Sequence, residues 1–240
     1  MDEKLERLRL LLDDKQINNI INSKVLVIGI GGVGGYVCEA LVRCGIKEIS
    51  IMDHDTVSLS NFNRQIIATK SNLGLSKVTA MKNRIEDISD CTVNTYDMFY
   101  NNETNIIDNS YDYVIDCCDT ISAKIDIIKK CHDLNVKSIT CTGTGNRIDP
   151  NAFIYTTLDK TTYDPVSKAM RQIVKKQGIK YKIKVICSKE QPTKQNKVIN
   201  KDGKTMKDKY PIASNSYVPS SAGLFIASIV IKQLINKDNI

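Results

Sequence analysis

Apolar positions along this chain alternate between short unbroken runs and stretches spaced by three and four. The run from Lys24 to Ile30 is apolar and β-branched, the mark of a strand buried on both faces. Glycines follow it, and residues 36–44 then carry Val37, Ala40 and Leu41 at helical spacing, with Gly45 as the stop. The same reading predicts strands over 46–52 (ending on Asp53), 92–96, 111–117 and 136–141, with helices over 77–88 and 121–134. Strands alternating with helices predict an α/β, Rossmann-like domain, a mostly parallel sheet with helices on both faces. Beyond Gly145 the pattern predicts a strand over 153–157, a helix over 166–176 and a strand over 182–187. A polar, lysine-rich excursion spans 188–210, and an apolar helix over 222–235 is expected to be buried. The organisation expected is one domain over 1–240: a helical arm (1–23), a nucleotide-binding core (24–145) and a C-terminal part (146–240).

Composition changes this picture little; charge and cysteine spacing change it more. Hydrophobic residues make up 42% and charged residues 25%, which excludes a chain too polar to build a core. No apolar run approaches the ~20 residues of a membrane span, and the N-terminus lacks a basic-then-apolar leader, so a cytoplasmic address without membrane attachment is expected. The eight cysteines include no C-x-x-C pair and only His54 and His132 could add imidazole, which argues against structural zinc and for reduced, buried thiols. Residues 160–210 hold fifteen cations against four carboxylates, a net +11, while the rest carries nineteen against twenty-three, a net −4. Concentrated positive charge on a slightly acidic body suits a polyanionic partner; a solvated lysine surface is the alternative.

Gly29-Ile30-Gly31-Gly32-Val33-Gly34 follows a strand and opens a helix, satisfying G-x-G-x-x-G. Such glycines let backbone approach a phosphate at a helix N-terminus. Asp53, 19 residues after Gly34, is placed to accept hydrogen bonds from ribose hydroxyls. This much fits NAD and ATP equally. Asn61 and Arg64 in Ser60-Asn61-Phe62-Asn63-Arg64-Gln65, and Lys77 opening a helix, tilt the balance. Cations converging on a phosphate loop serve an enzyme that expels pyrophosphate, where charge builds on the leaving group. Asp119, just past a strand end, is the carboxylate expected to hold Mg²⁺.

With these residues in place, G-I-G-G-V-G, I-M-D-H-D, S-N-F-N-R-Q, G-L-S-K and V-I-D-C-C-D resemble the ThiF/MoeB superfamily of ubiquitin-activating-type adenylyltransferases over about residues 20–145. Arg147-Ile148-Asp149-Pro150, Asp164-Pro165 and the segment Tyr217 to Gly223 resemble one branch, the tRNA threonylcarbamoyladenosine dehydratases, which likewise lack zinc-binding C-x-x-C pairs. The resemblance implies phosphate binding by Gly29, Gly31, Gly32 and Gly34, and ribose binding by Asp53. It places Asn61 and Arg64 at the phosphates, Lys77 as their neutralising cation and Asp119 on Mg²⁺. It also implies a homodimer in which an N-terminal arginine reaches the partner copy's ATP; Arg7 and Arg9 are candidates, and Arg9 fits better by spacing. Cys187 falls where some relatives carry a cysteine, and both a reactive thiol and a plain strand-end cysteine stay open.

The activity so implied is adenylation, with ATP and Mg²⁺, of the threonylcarbamoyladenosine carboxylate in tRNA, followed by closure to a cyclic oxazolone. Activation of a sulfur-carrier protein's C-terminal glycine is the nearer rival, and an NAD(P)-binding oxidoreductase or an idle tRNA-binding module the more distant one. A sulfur-transfer or redox protein is a further expected partner.

Overall fold

The computed structural model describes residues 3–194 and 212–237. The first strand, β1 (Lys24–Ile28), lies inside the sheet, flanked in parallel by β2 (Glu48–Asp53) and β4 (Tyr113–Asp116). The chain builds outward from β1 to β2 and β3 (Thr92–Asp97), then crosses back to lay β4 and β5 (Lys137–Cys141) on the other side. β7 (Lys184–Ser188) continues the parallel set, and β6 (Phe153–Thr157) closes the edge antiparallel to it. The seven-stranded order is β3-β2-β1-β4-β5-β7-β6. Between β1 and β4 the winding reverses, and a crevice at the carboxyl ends of such strands is where open α/β sheets bind ligands.

Helices cover both faces, which explains the unbroken apolar run in β1. Val25 and Val27 face one core with α3 (Gly34–Arg43) and α4 (Lys77–Ile88); Leu26 and Ile28 face the other with α5 (Ile121–Asp133). Two short helices, α1 (Glu6–Arg9) and α2 (Asp14–Ile21), form the N-terminal arm, and α6 (Pro165–Lys176) packs on α5. Ser76 caps α4 through the Thr79 amide, and Asp164 caps α6 through the Ser167 amide, fixing two helix starts near strand ends.

The final helix departs from expectation. α7 runs Tyr217–Leu234, five residues earlier than the apolar pattern indicated. It is buried along one stripe (Val218, Ala222, Ile226, Val230, Leu234), while Leu224 on another side is half exposed. A largely apolar helix on the outside of a sheet covered on both faces has only one side to bury, so composition overstated its burial. By length and composition alone α7 could cross a membrane; here its stripe packs on α3. Gly223 permits the approach, because a Cβ there would lie 2.5 Å from the Val33 carbonyl oxygen. The helix therefore buttresses the turn that leads into α3.

Candidate nucleotide-binding active site

At the carboxyl ends of β1, β2, β4 and β5 lies a cleft of about 600 Å³. The glycine turn forms its floor. Gly29 sits at φ +94°, and a Cβ on Gly34 would fall 1.8 Å from the Gly29 carbonyl oxygen, so the turn closes only with glycine at both places. Gly31 is different: a Cβ there would meet nothing within 4 Å, because the residue borders open cleft. The amides of Gly31, Gly32 and Val33 have no hydrogen-bond partner among the described residues. Three free N–H groups before a helix are donors available to an anion.

Asp53 ends β2 beside this turn. Its carboxylate accepts the Ile30 amide at 2.6 Å and the Asp55 amide at 2.9 Å, so it first clamps the turn to the sheet. A carboxylate has about four acceptor positions, which leaves capacity for a sugar hydroxyl. Lys77, nearly buried at the start of α4, places Nζ 2.7 Å from Asp55 Oδ2 and 3.8 Å from Asp53 Oδ1. Its hydrogen bond holds the Asp55 carboxyl below the usual carboxylate range, against burial. The sequence reading missed Asp55 as the resting partner of Lys77; the signal was a second carboxylate, in Asp53-His54-Asp55, two positions past the strand end.

Arg64 stands along the glycine turn, its Nη1 donating to the Ser60 carbonyl (2.7 Å) and to Asn63 Oδ1 (3.0 Å). Asn61 lines the cleft while its Oδ1 accepts the Ser58 amide. Asp119, just beyond β4, is exposed in the cleft lining, and among the described residues only Thr120 Oγ1 bonds it, at one oxygen. That solvent-facing carboxylate fits Mg²⁺, which keeps several waters and takes one or two protein oxygens. Asp53, His54 and Asp55 also group within 4.8 Å, but the two carboxylates are already committed to Lys77 and to backbone amides.

Residues 142–145 after β5 form the far wall with Ile212 and Ser214, and the Gly143, Thr144 and Gly145 amides are unpartnered among the described residues. Beneath them is a feature that the motifs did not reveal. Lys124 on α5, 1% exposed, donates to both oxygens of Asp116 (3.1 and 3.2 Å) and to the Cys141 carbonyl (2.7 Å). Burial alone would depress its pKa; Asp116 beside it holds it above the ordinary lysine value. The legible signal was a lysine inside the apolar stripe of α5.

Two further sequence candidates stand elsewhere. Arg9, in the arm, bonds Asp14 at 2.6 Å and does not line the cleft. Cys187 lies within β7, 1% exposed and outside the cleft lining. Burial and the nearby Asp164 carboxylate push its thiol up to about 11. Below that pH it stays protonated, and thiols attack as thiolates. Iodoacetamide at pH 8 is therefore expected to spare Cys187 in the folded protein and label it in urea; native labelling at the rate of a free thiol would contradict this. All eight cysteines are free.

A mostly parallel sheet with amides, cations and a carboxylate gathered at its switch point defines a nucleotide-binding enzyme. The sequence profile of the ThiF family matches residues 3–240, and the chain belongs to that family. It is 38% identical, over 98% of its length and 96% of the relative's, to the tRNA threonylcarbamoyladenosine dehydratase of Bacillus subtilis. With the Escherichia coli protein of the same name it shares 36% identity over 69% of this chain and 63% of that one. The crystal structure of the E. coli enzyme, TcdA, in complex with ATP superimposes with a TM-score of 0.84 at 28% identity, covering 98% of this chain and 95% of that one.

Proposed function

We propose that this protein uses ATP to dehydrate threonylcarbamoyladenosine in tRNA to its cyclic oxazolone form. The observation that carries the reading is the division of one cleft into two differently equipped halves. The glycine turn, Arg64 and Lys77 supply amides and cations for a triphosphate. The wall over 142–145 supplies donors for a carboxylate. Whole-length similarity to dehydratases of this name supports the choice of substrate.

In this reading the substrate carboxylate lies against the 143–145 amides, and one of its oxygens attacks the α-phosphorus of ATP. The bond to the β-phosphate oxygen breaks, and pyrophosphate leaves with its developing charge on Arg64 and Lys77. The substrate's own carbamoyl oxygen then attacks the acyl carbonyl, AMP departs, and a carbamoyl N–H proton is lost to solvent. Proximity within one molecule serves this second step without a protein nucleophile, consistent with the buried position of Cys187. Asn61 and Asp53 orient phosphate and ribose. Asp119 would hold Mg²⁺, which supplies charge neutralisation at the phosphates. Two copies of the chain would pair, with Arg9 or Arg7 of the arm reaching the other copy's cleft; Leu10 and Leu11 beside them are 74% and 81% exposed. The working address is cytoplasmic, where tRNA is.

ATP with Mg²⁺ is expected to raise the melting temperature while NAD(H) and NADP(H) do not, since only a ligand of the native state stabilises it. A clear shift with NAD(H) and none with ATP would return the protein to the oxidoreductases. Pyrophosphate release that depends on threonylcarbamoyladenosine-bearing tRNA, rather than on a sulfur-carrier protein, then tests the substrate.

A further inference from the structure

At the other end of the sheet, where β4, β5 and β7 begin, lies a second cleft of about 450 Å³. Tyr113, Lys137 and Lys184, the first residues of those strands, line it together with His132 near the end of α5. The His132 ring stacks on Tyr181 with centroids 3.5 Å apart and planes 15° from parallel. Lys184 Nζ lies 5.7 Å from the centre of the Tyr155 ring on the facing side. The sheet thus brings together cations and aromatic faces that are far apart in the chain.

The charge around this cleft is not balanced. Lys182 pairs with Asp159, and Asp133 lies near the Tyr181 hydroxyl. Lys137 and Lys184, with Lys129 one helical turn before His132 and Lys180 beside Tyr181, have no carboxylate within salt-bridge distance among the described residues. Lysines beside the exposed His132 ring, itself stacked on the half-buried Tyr181, resemble the combination that holds single-stranded or loop RNA, phosphates on the ammonium groups and a base on the ring. In the lysine-rich excursion over 188–210, Lys194 is described, while Lys197, Lys201, Lys204 and Lys207 lie outside the described residues.

We propose that this cleft is an RNA-binding site that grips the tRNA away from the nucleotide undergoing reaction. The inference rests on the proposed tRNA substrate and adds where the remainder of that molecule is held. β5 has five residues, which at ~3.3 Å each separates the two clefts by roughly one strand length. A tRNA arm is longer than that, so one molecule can engage both ends of the sheet.

The test compares the full chain with a Lys137→Glu/Lys184→Glu variant and with Tyr181→Leu, by filter binding of tRNA at two salt concentrations. The double variant is expected to bind at least tenfold more weakly at low salt. Its affinity should fall less steeply with salt, by about 0.7–0.9 in the log–log slope for each phosphate that is no longer neutralised. Its KM for tRNA should rise correspondingly, while the melting shift given by ATP and Mg²⁺ and the turnover at saturating tRNA stay within twofold of wild type. Tyr181→Leu should weaken binding several-fold without changing the slope. Unchanged affinity and slope in the double variant, with the ATP shift intact, overturn the inference and leave a solvated lysine surface. Competition by millimolar inorganic phosphate as effective as by RNA overturns it in favour of a small-anion site. Failure of the wild-type chain to bind any tRNA overturns it together with the proposed substrate, whereas an unaffected variant overturns the second cleft alone.

Discussion

Lys77→Ala is expected to lower pyrophosphate release by about two to three orders of magnitude at saturating ATP, the usual cost of removing one preorganised group from developing charge. The reason lies in its setting. Lys77 is nearly buried, yet its closest partner, Asp55, is itself 53% exposed at the side chain. Losing the lysine leaves Asp55 to water and the less exposed Asp53 to the two backbone amides it already accepts, so the protein should remain folded. The loss should fall on kcat more than on the KM for ATP, because the charge that needs Lys77 exists mainly after the α–β bond begins to break. Arg64→Ala should behave alike, with less effect on stability, since among the described residues Arg64 bonds only its own loop. A stopped assay of AMP and pyrophosphate decides. Near-normal turnover in either variant removes that residue from the leaving-group role.

Lys124→Met should instead cost stability, about 3–5 kcal/mol, because it strands Asp116 as a buried charge without its partner. Both side chains are almost fully enclosed, at 2% and 1% exposure, so solvent cannot take the place of the missing ammonium. Because Lys124 is held charged above its unfolded value, its contribution is complete below the ordinary lysine pKa and fades only as pH rises through the higher folded value. The contribution of the lysine's own charge should therefore be constant between pH 6 and 9. Adding Asp116→Asn to Lys124→Met should recover part of the loss, since an amide is cheaper to bury than a carboxylate. Urea unfolding of the three proteins provides the measurement; a single-variant loss under 1 kcal/mol would show that the pair is dispensable. The ATP-induced melting shift should also shrink, as Lys124 ties the end of β4 to the end of β5 under the cleft.

Much of this site is readable in the chain itself. α4 begins at Lys77 and β6 spans Phe153–Thr157 as the periodicity indicated, and the glycine turn sits between β1 and α3. These features are local. A β-branched run, a capping serine and a positive-φ glycine each express a preference over a few residues, and a buried parallel strand writes its burial directly into the chain. The grouping of Asn61, Arg64, Lys77 and Asp119 around one cleft was also foreseeable, since parallel strands deliver their carboxyl-end loops to the same edge.

The succession of elements, the phosphate turn and the short list of charged residues beside it can all be read along the chain. How those charges are shared emerges only on folding. Lys77 rests on Asp55, Asp53 spends two lone pairs on backbone amides, and Lys124 answers Asp116 across eight residues. Folding also decides that α7 buries a single stripe, that Gly223 lets it brace the turn into α3, and that β6 returns antiparallel outside β7. Ion pairs, helix–helix approach and edge pairing depend on distances between groups on different elements, and no local preference encodes which of several possible partners will lie within reach.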